Sequence, residues 1–400
     1  MTTRVILKRG RAKPLWHGHP WVYAQAVERI EGGEGEPGDV VDVHDASGTF
    51  VARGFISPAS SIRVRLLTQR EDEAVDDALF RRRLERAIAL RRAVGLPNAE
   101  TNCYRLVNAE GDQMSGLVVD VYNDIVAVQL NSVGFYERRE TLYSLLEELL
   151  SPRSIIELGA TRFARSEGVN NATHLARMDH AEVDDQERHV GPVDVRELGL
   201  EYTIDLEQAQ KTGLFLDQRE NRRIVGQVAN GRRVLDLYSY VGGFALAAAR
   251  GGATSVVAVD ASPRALETAQ DAAKKNHLSI QTVESDAFRY LGDSDDPSFD
   301  LIVLDPPKFA RSRRELKSAL KGYRKLHRLA LKRLAPGGLI ASACCSQVVP
   351  TTEWQRMIAD AAGGAGRPLT QLLLNGPGPD HPTLPSFAEG DYLRFALFAS

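Results

Sequence analysis

Cysteine is scarce in this chain: 400 residues hold three, Cys103, Cys344 and Cys345. An odd number that includes an adjacent pair does not build a disulfide framework, and it suits a reducing compartment. No Cys/His cluster has metal-ligand spacing, so no metal is expected. Long apolar runs are missing as well. Nothing approaches the roughly 18–20 uninterrupted apolar residues of a membrane span. The opening residues, MTTRVILKRGRAKPLW, have no apolar core of secretory-leader length. A cytoplasmic protein without membrane contact is therefore expected. An excess of positive charge is also absent: the net charge is −3. That weighs mildly against a nucleic-acid partner until the local distribution of charge is read.

What is present is ordinary globular material, 43% hydrophobic and 26% charged, in a length that suits two or three domains. Basic charge is concentrated locally. The first 22 residues hold Arg4, Lys8, Arg9, Arg11 and Lys13 and no acid. Residues 81–92 hold six arginines against Glu85, a pattern that a solvated helix face explains equally well. Residues 308–333 hold eleven Lys/Arg against Glu315. This last run adjoins the chemistry described below, which favours contact with phosphates.

Residues 1–72 read as short strands (VILK, VVDVHD, TFVARGFIS, SIRVRLLT) punctuated by Gly32-Gly33, Pro37-Gly38 and Gly48, the signature of a small all-β barrel or sandwich. Trp16, Trp21 and Tyr23 in it are either base-stacking or barrel-core aromatics. Residues 73–190 form a mixed module: a helical arginine-rich start, the strand-like GLVVDVYND and IVAVQL, the helix-like FYERRETLYSLLEELL, then SIIELGA. From 191 to 400 apolar strands alternate with helices: RVLDLY, VVAVDAS, QTVESDAF, DLIVLDPP and GLIASACCS, then a final pair, LTQLLL and YLRFALFAS, expected as an antiparallel edge. Such alternation predicts a doubly wound, mostly parallel sheet covered on both faces.

Ligands of open α/β sheets bind at the carboxyl ends of the strands. Here the first strand runs into Asp236-Leu237-Tyr238-Ser239-Tyr240-Val241-Gly242-Gly243, and Gly242 opens a helix where backbone can approach a ligand. Asp260 ends the second strand, placed to accept from two ribose hydroxyls. Asp286-Ala287 follows the third, where an acid can read an adenine amino group. A dinucleotide would require G-x-G-x-x-G, which is missing. The acid Asp236 would repel a diphosphate but suits the cationic amino and sulfonium groups of S-adenosylmethionine. Any one of these acids is equally well a helix cap or turn residue. The ordered set is what points to the cofactor. Upstream, residues 211–222 (KTGLFLDQRENR) read as a flap, with Phe215 packing on the cofactor and Arg219 near its carboxylate.

The fourth strand ends Asp305-Pro306-Pro307-Lys308-Phe309. Tandem prolines fix the backbone and remove amide donors. They would present the Asp305 carboxylate beside a methyl donor and let a planar base stack near Phe309. The fifth strand ends Cys344-Cys345-Ser346, at the neighbouring tip. Carbon 5 of a pyrimidine takes a methyl group only after activation, and a thiolate adding to carbon 6 supplies it. Because strand side chains alternate, one cysteine faces the cleft and the other the core.

These residues resemble a family. Asp305-Pro306-Pro307-Lys308-Phe309, the Cys345-Ser346 step, the 211–222 segment and Asp380-His381-Pro382 are similar to motifs of the bacterial large-subunit (23S) rRNA cytosine-5 methyltransferases. Lys8-x-Gly10-Arg11 and His19-Pro20-Trp21-Val22 resemble the start of that family's PUA domain, an RNA-binding β barrel. The resemblance spans essentially the whole chain. It implies a PUA barrel, a central α/β module and a class I, Rossmann-like methyltransferase domain using S-adenosyl-L-methionine. Its implied partner is 23S rRNA or a large-subunit assembly intermediate, and it allows a homodimer, for which the sequence has no signature. The family's nucleophile sits in a Ser/Thr-Cys-Ser context, which makes Cys345 the nucleophile. Cys344 stands where the family has Ser or Thr, so spacing alone leaves both thiols as candidates. No second cysteine accompanies Asp305, so the base is Asp305 or water. His381 is a substrate-side or a turn residue. Two other functions stay open: methylation of an exocyclic base nitrogen, which needs no nucleophile, and RNA binding by a non-catalytic methyltransferase-like scaffold.

Overall fold

A computed structural model describes residues 3–179, 181–182, 190–206, 213–293, 298–310 and 312–400. They form two compact units. The first takes in Met1–Val195, Ile204–Gly213 and Pro379–Gly390; the second takes in Arg196–Thr203, Leu214–Gly378 and Asp391–Ser400. A single boundary at residue 191 therefore does not divide the chain, since the late segment carrying His381 belongs to the first unit. There the Asp380 carboxylate accepts the Arg105 N–H at 3.0 Å, and Asn108 donates its side-chain amide to the Pro382 carbonyl at 2.9 Å.

In the first unit, strands Arg4–Leu7, Trp21–Tyr23, Val27–Glu31, Val40–His44, Phe50–Ile56 and Ile62–Thr68 make a six-stranded sheet. Alternate residues (Val5, Leu7, Val41, Val43, Val64) point into one apolar core, as the period-2 pattern requires. A second six-stranded sheet, from Cys103–Asn108 to Ala181–Glu182, packs its apolar face against helices Asp77–Ala93 and Arg139–Leu150 through Leu84, Leu142, Val119 and Val128.

The arginine run on helix Asp77–Ala93 is only partly a solvated face. Arg91 is buried, pairs bidentately with Asp112 at 2.6 and 2.7 Å, and donates to the Arg105 and Asp380 carbonyls. Arg83 donates to the carbonyls of Gln113 and Leu67, and burial lowers its pKa to about 10. Buried guanidinium groups persist because several oxygens take up their fixed fork of donors.

The second unit carries a seven-stranded sheet. Its elements are α1 (Arg219–Val228), β1 (Arg233–Leu237), α2 (Gly243–Arg250), β2 (Ser255–Asp260), α3 (Pro263–Lys275), β3 (Gln281–Glu284), α4 (Ala287–Gly292), β4 (Phe299–Leu304), α5 (Leu316–Arg333), β5 (Leu334–Cys344), α6 (Thr351–Gly364), β6 (Thr370–Asn375) and β7 (Arg394–Ala399). The strand order is β3-β2-β1-β4-β5-β7-β6. The first five strands are parallel, and β7 is antiparallel to both β5 and β6. The expected antiparallel pair is present, with the last strand inserted inside the edge. Leu235, Leu237, Ile302, Leu304 and Ile340 face α4, α5 and α6. The alternate residues point to the other face, where α2 lies. The order reverses between β1 and β4, which opens a crevice beyond their carboxyl ends. Among the described residues no helix is long and apolar enough to cross a membrane.

Candidate active site

The loop after β1 turns sharply because three of its residues adopt left-handed backbone: Tyr238 (φ 63°), Tyr240 (φ 50°) and Gly242 (φ 80°). For tyrosine this costs on the order of 1 kcal/mol or more each, and it persists only where surrounding bonds enforce it. They do: Ser239 N–H donates to the Val259 carbonyl at 3.1 Å, Tyr240 N–H to Asp260 Oδ2 at 2.9 Å, and Gly242 N–H to the Ser239 carbonyl at 2.8 Å. At Gly242 a Cβ would also come within 2.9 Å of the Ala269 Cβ, so glycine is required twice over.

The three acids stand at the ends of neighbouring strands, each tied to backbone. Asp236 is fully buried. Its Oδ2 accepts the Ala245 N–H at 2.9 Å, in the first turn of α2, and its Oδ1 has no partner among the described residues. Burial raises its pKa well above the carboxylate range, and the Asp305 and Asp260 charges add to the effect. Asp260 accepts Tyr240 N–H through Oδ2 and Ser262 N–H through Oδ1, both at 2.9 Å. Asp286 caps α4, its Oδ1 accepting from Phe288 and Arg289 N–H at 2.9 and 3.1 Å, and leaves Oδ2 outside the cap. Ala287, the first residue of α4, is buried.

The tips of β4 and β5 carry the second half of the site. Leu304 pairs with Ser342, so the chain leaves both strands at adjoining points. Pro306 is buried, while Pro307 and Lys308 are exposed. The two thiols separate as strand alternation requires. Cys344 is fully buried in the apolar core, which pushes its pKa up. Cys345 is half-buried, with Sγ 3.7 Å from the Pro306 carbonyl. Ser346 Oγ donates to the Ala310 carbonyl at 3.1 Å and ties the two loops together.

Phe309 differs from expectation. One face of its ring is stacked on Tyr323 at 4.4 Å between centroids, and Phe288 lies at 6.3 Å. Protein aromatics thus occupy part of the space expected for a base. Gly322 allows this approach, since a Cβ there would come within 3.2 Å of the ring. The Tyr323 hydroxyl is buried, accepts the Phe309 N–H at 3.3 Å and donates to the Pro307 carbonyl at 3.5 Å. It clamps the Pro-Pro turn, a role with no signal in the sequence beyond a tyrosine on a basic helix.

In the segment before α1, Lys211 and Thr212 lie outside the described residues. Phe215 packs edge-on to Tyr240 at 5.4 Å. Arg219 is buried in the first turn of α1. Arg222 pairs bidentately with buried Glu197, both bonds 2.7 Å, and donates to the Phe215 carbonyl at 2.8 Å. Gln218 and Asn221, which sequence reasoning missed, contribute a directed chain of amides. Asn375 donates to Asn221 Oδ1 at 2.9 Å, Asn221 to Gln218 Oε1 at 2.6 Å, and Gln218 to Asp305 Oδ2 at 3.1 Å. The signal was their i, i+3 spacing inside a segment already singled out.

The residues fit an S-adenosyl cofactor. Asp236 Oδ1 and the Ser239 hydroxyl are buried polar atoms without partners among the described residues. The acids can accept from ammonium and hydroxyl donors, and nothing in the loop cradles a diphosphate. Among the described residues no group of three or more His, Cys, Asp or Glu is placed to hold a metal ion.

In the first unit, Trp16 is 57% exposed, whereas Trp21 and Tyr23 are tied inward. Trp21 Nε1 donates to Glu110 at 2.9 Å, and the Tyr23 hydroxyl donates to Glu389 at 2.7 Å. Both are half-buried against residues from outside the barrel strands, including Phe387, and neither belongs to the barrel's apolar core.

Known proteins resemble this chain along its length. A profile of S-adenosylmethionine-dependent methyltransferases matches residues 140–363, and one of PUA-like domains matches residues 5–69. The chain is 37% identical to the ribosomal RNA large subunit methyltransferase I of Tolumonas auensis, over 98% of each chain. It is 35% identical to that of Photobacterium profundum, over 100% of each. Among solved structures, SMU.776, a methyltransferase complexed with SAH, superposes with a TM-score of 0.83 at 24% identity over 100% of both chains. A SAM-dependent methyltransferase from Streptococcus mutans gives 0.82 at 23% over the same coverage.

Proposed function

Because this chain belongs to the S-adenosylmethionine-dependent large-subunit ribosomal RNA methyltransferases, we propose that it methylates carbon 5 of a cytosine in 23S rRNA through a covalent Cys345 adduct. The observation that carries the reading is the separation of the thiols. Cys344 is sealed in the core, while Cys345 lies against the Asp305-Pro306 turn. A methylated exocyclic nitrogen would need the turn but no thiol.

S-adenosylmethionine, when bound, supplies a methyl group made electrophilic by its sulfonium. Asp236, Tyr238, Gly242, Asp260, Asp286 and Ala287 would hold it, with Phe215 and Arg219 closing over the loop. Pro306, Pro307, Lys308 and Phe309 form the rigid side of the base pocket. Cys345 loses its proton to solvent, and its thiolate adds to carbon 6. The carbon 5–carbon 6 electron pair then makes carbon 5 the nucleophile. After methylation a base removes the carbon 5 proton, the double bond reforms, and the carbon–sulfur bond breaks to return the thiolate. Asp305, fixed by Gln218, is the candidate base or orients the water that serves.

Purified protein, S-adenosylmethionine and unmodified 23S rRNA, followed by nucleoside mass spectrometry, tests the reading. 5-Methylcytidine that disappears in Cys345→Ala and persists in Cys344→Ala is the expected result. Loss in Cys344→Ala alone moves the role one residue upstream. Methylation surviving both substitutions favours the exocyclic-nitrogen chemistry.

A further inference from the structure

In the first unit, a five-residue helix, Arg162–Ser166, presents Phe163 with 69% of its surface exposed. The helix is firmly seated. Thr161 caps it by accepting the Ala164 N–H at 3.2 Å, and its hydroxyl donates to Asn131 Oδ1 at 2.5 Å. Just after it, buried Glu167 pairs with Arg65 at 2.8 Å and accepts the Val133 N–H at 3.2 Å. Ala160, Ala164, Val169 and Val133 form a small apolar cluster underneath. The backbone is therefore fixed from below while the phenyl ring stands in water.

The surroundings of the ring decide what would cover it. In sequence Arg162 precedes Phe163 and Arg165 follows it two residues later; both are exposed, and among the described residues neither is paired with a carboxylate. Ser166 beside it is also exposed. A protein interface sets its aromatic anchor in a well-packed pocket ringed by further contacts that exclude water. Here a single ring sits in a positive, polar field. An aromatic platform with flanking cations is how single-stranded nucleic acid is held, each base offering a π-face and each phosphate a charge.

We propose that Phe163, Arg162 and Arg165 form an auxiliary contact for a single-stranded segment of the RNA substrate, one base stacking on Phe163 and adjacent phosphates meeting the two guanidinium groups. This rests on the reading of the chain as an RNA methyltransferase. The patch supplies affinity, not chemistry, so it acts on the RNA and not on the cofactor.

The test uses the full chain, an unmodified single-stranded fragment of 23S rRNA and a salt titration. Phe163→Ala should weaken RNA binding roughly 5- to 100-fold at an unchanged salt slope. Phe163→Trp should keep the affinity and add fluorescence that RNA quenches. Arg162→Gln with Arg165→Gln should reduce the salt slope by about 1.4, two contacts at roughly 0.7 each for a single strand. Thermal unfolding and S-adenosylmethionine affinity should stay as in the wild type. Wild-type RNA affinity in Phe163→Ala, with the wild type itself binding RNA, overturns the patch and leaves the proposed function intact. A wild-type chain that neither binds nor methylates RNA overturns both.

Discussion

Gln218 donates its side-chain amide to the Asp305 carboxylate at 3.1 Å, at the end of a chain of amides that begins at Asn375. Each member's donor is satisfied by the next member's oxygen, so the chain has one direction and Asp305 terminates it. On the proposed mechanism Gln218 acts as a positioning residue for Asp305. Gln218→Leu should lower the single-turnover methylation rate about 10- to 100-fold, the cost of one hydrogen bond to a charged group. Cofactor affinity should change little. Gln218→Glu, which sets a second carboxylate against Asp305, should be worse at high pH and partly recover as pH falls. A flat pH profile for that variant would mean that Asp305 is not held this way.

The two adjacent thiols should differ in reactivity. Native protein treated with iodoacetamide should carry one label, at Cys345, because Cys103 and Cys344 are fully buried. Fragment mass spectra distinguish the neighbours. Cys344→Ala should keep methylation and lose about 1 kcal/mol of stability to the small cavity. Equal labelling of both residues would contradict the separation seen at the tip of β5.

Much of this site was legible because strand ends announce themselves: an apolar run stops at an acid, a glycine or a proline. Asp236, Asp260, Asp286 and Asp305 were singled out as candidates that way, and strand alternation divided Cys344 from Cys345. Partnership was not legible. Arg83 and Arg91 look like their neighbours in the run of arginines, yet both are internal, because the carbonyls and carboxylate that receive them come from other parts of the chain. Gln218 meets Asp305 across 87 residues of chain. The Phe309–Tyr323 stack was equally hidden, since an aromatic ring next to a proline turn serves a ligand or a neighbour with the same sequence.

Asp236 should make cofactor binding depend on pH. Burial raises its pKa, so in the free protein the carboxyl holds its proton to higher pH than an exposed aspartate does. Pairing with a cationic ligand requires the ionised form. Affinity for S-adenosylmethionine should therefore rise with pH through the raised value, with proton release on binding. Calorimetry in buffers of different ionisation enthalpy counts that proton. Asp236→Asn should abolish the release and weaken binding about 10- to 100-fold. Unchanged proton release in Asp236→Asn would assign the titration to another group.

His327 makes acid stability predictable. It is fully buried between α5 and β5, its Nδ1–H donating to the Tyr323 carbonyl at 2.7 Å and its Nε2 accepting from the Ser342 hydroxyl at 2.8 Å. The neutral ring is thus satisfied, and burial lowers its pKa from 6.5 to about 4. The unfolded chain takes up a proton near pH 6.5 and the folded one only near 4, so the unfolded state is favoured progressively between these values. Below about 4 both states are protonated and the effect is complete. From pH 7.5 to 5 the contribution amounts to about 2 kcal/mol. His327→Gln should be less stable than the wild type at pH 7.5, because the packing and one bond are lost. It should then lose about 2 kcal/mol less on acidification, read from urea unfolding at the two pH values. Parallel acid limbs for the two proteins would show that His327 is not what titrates.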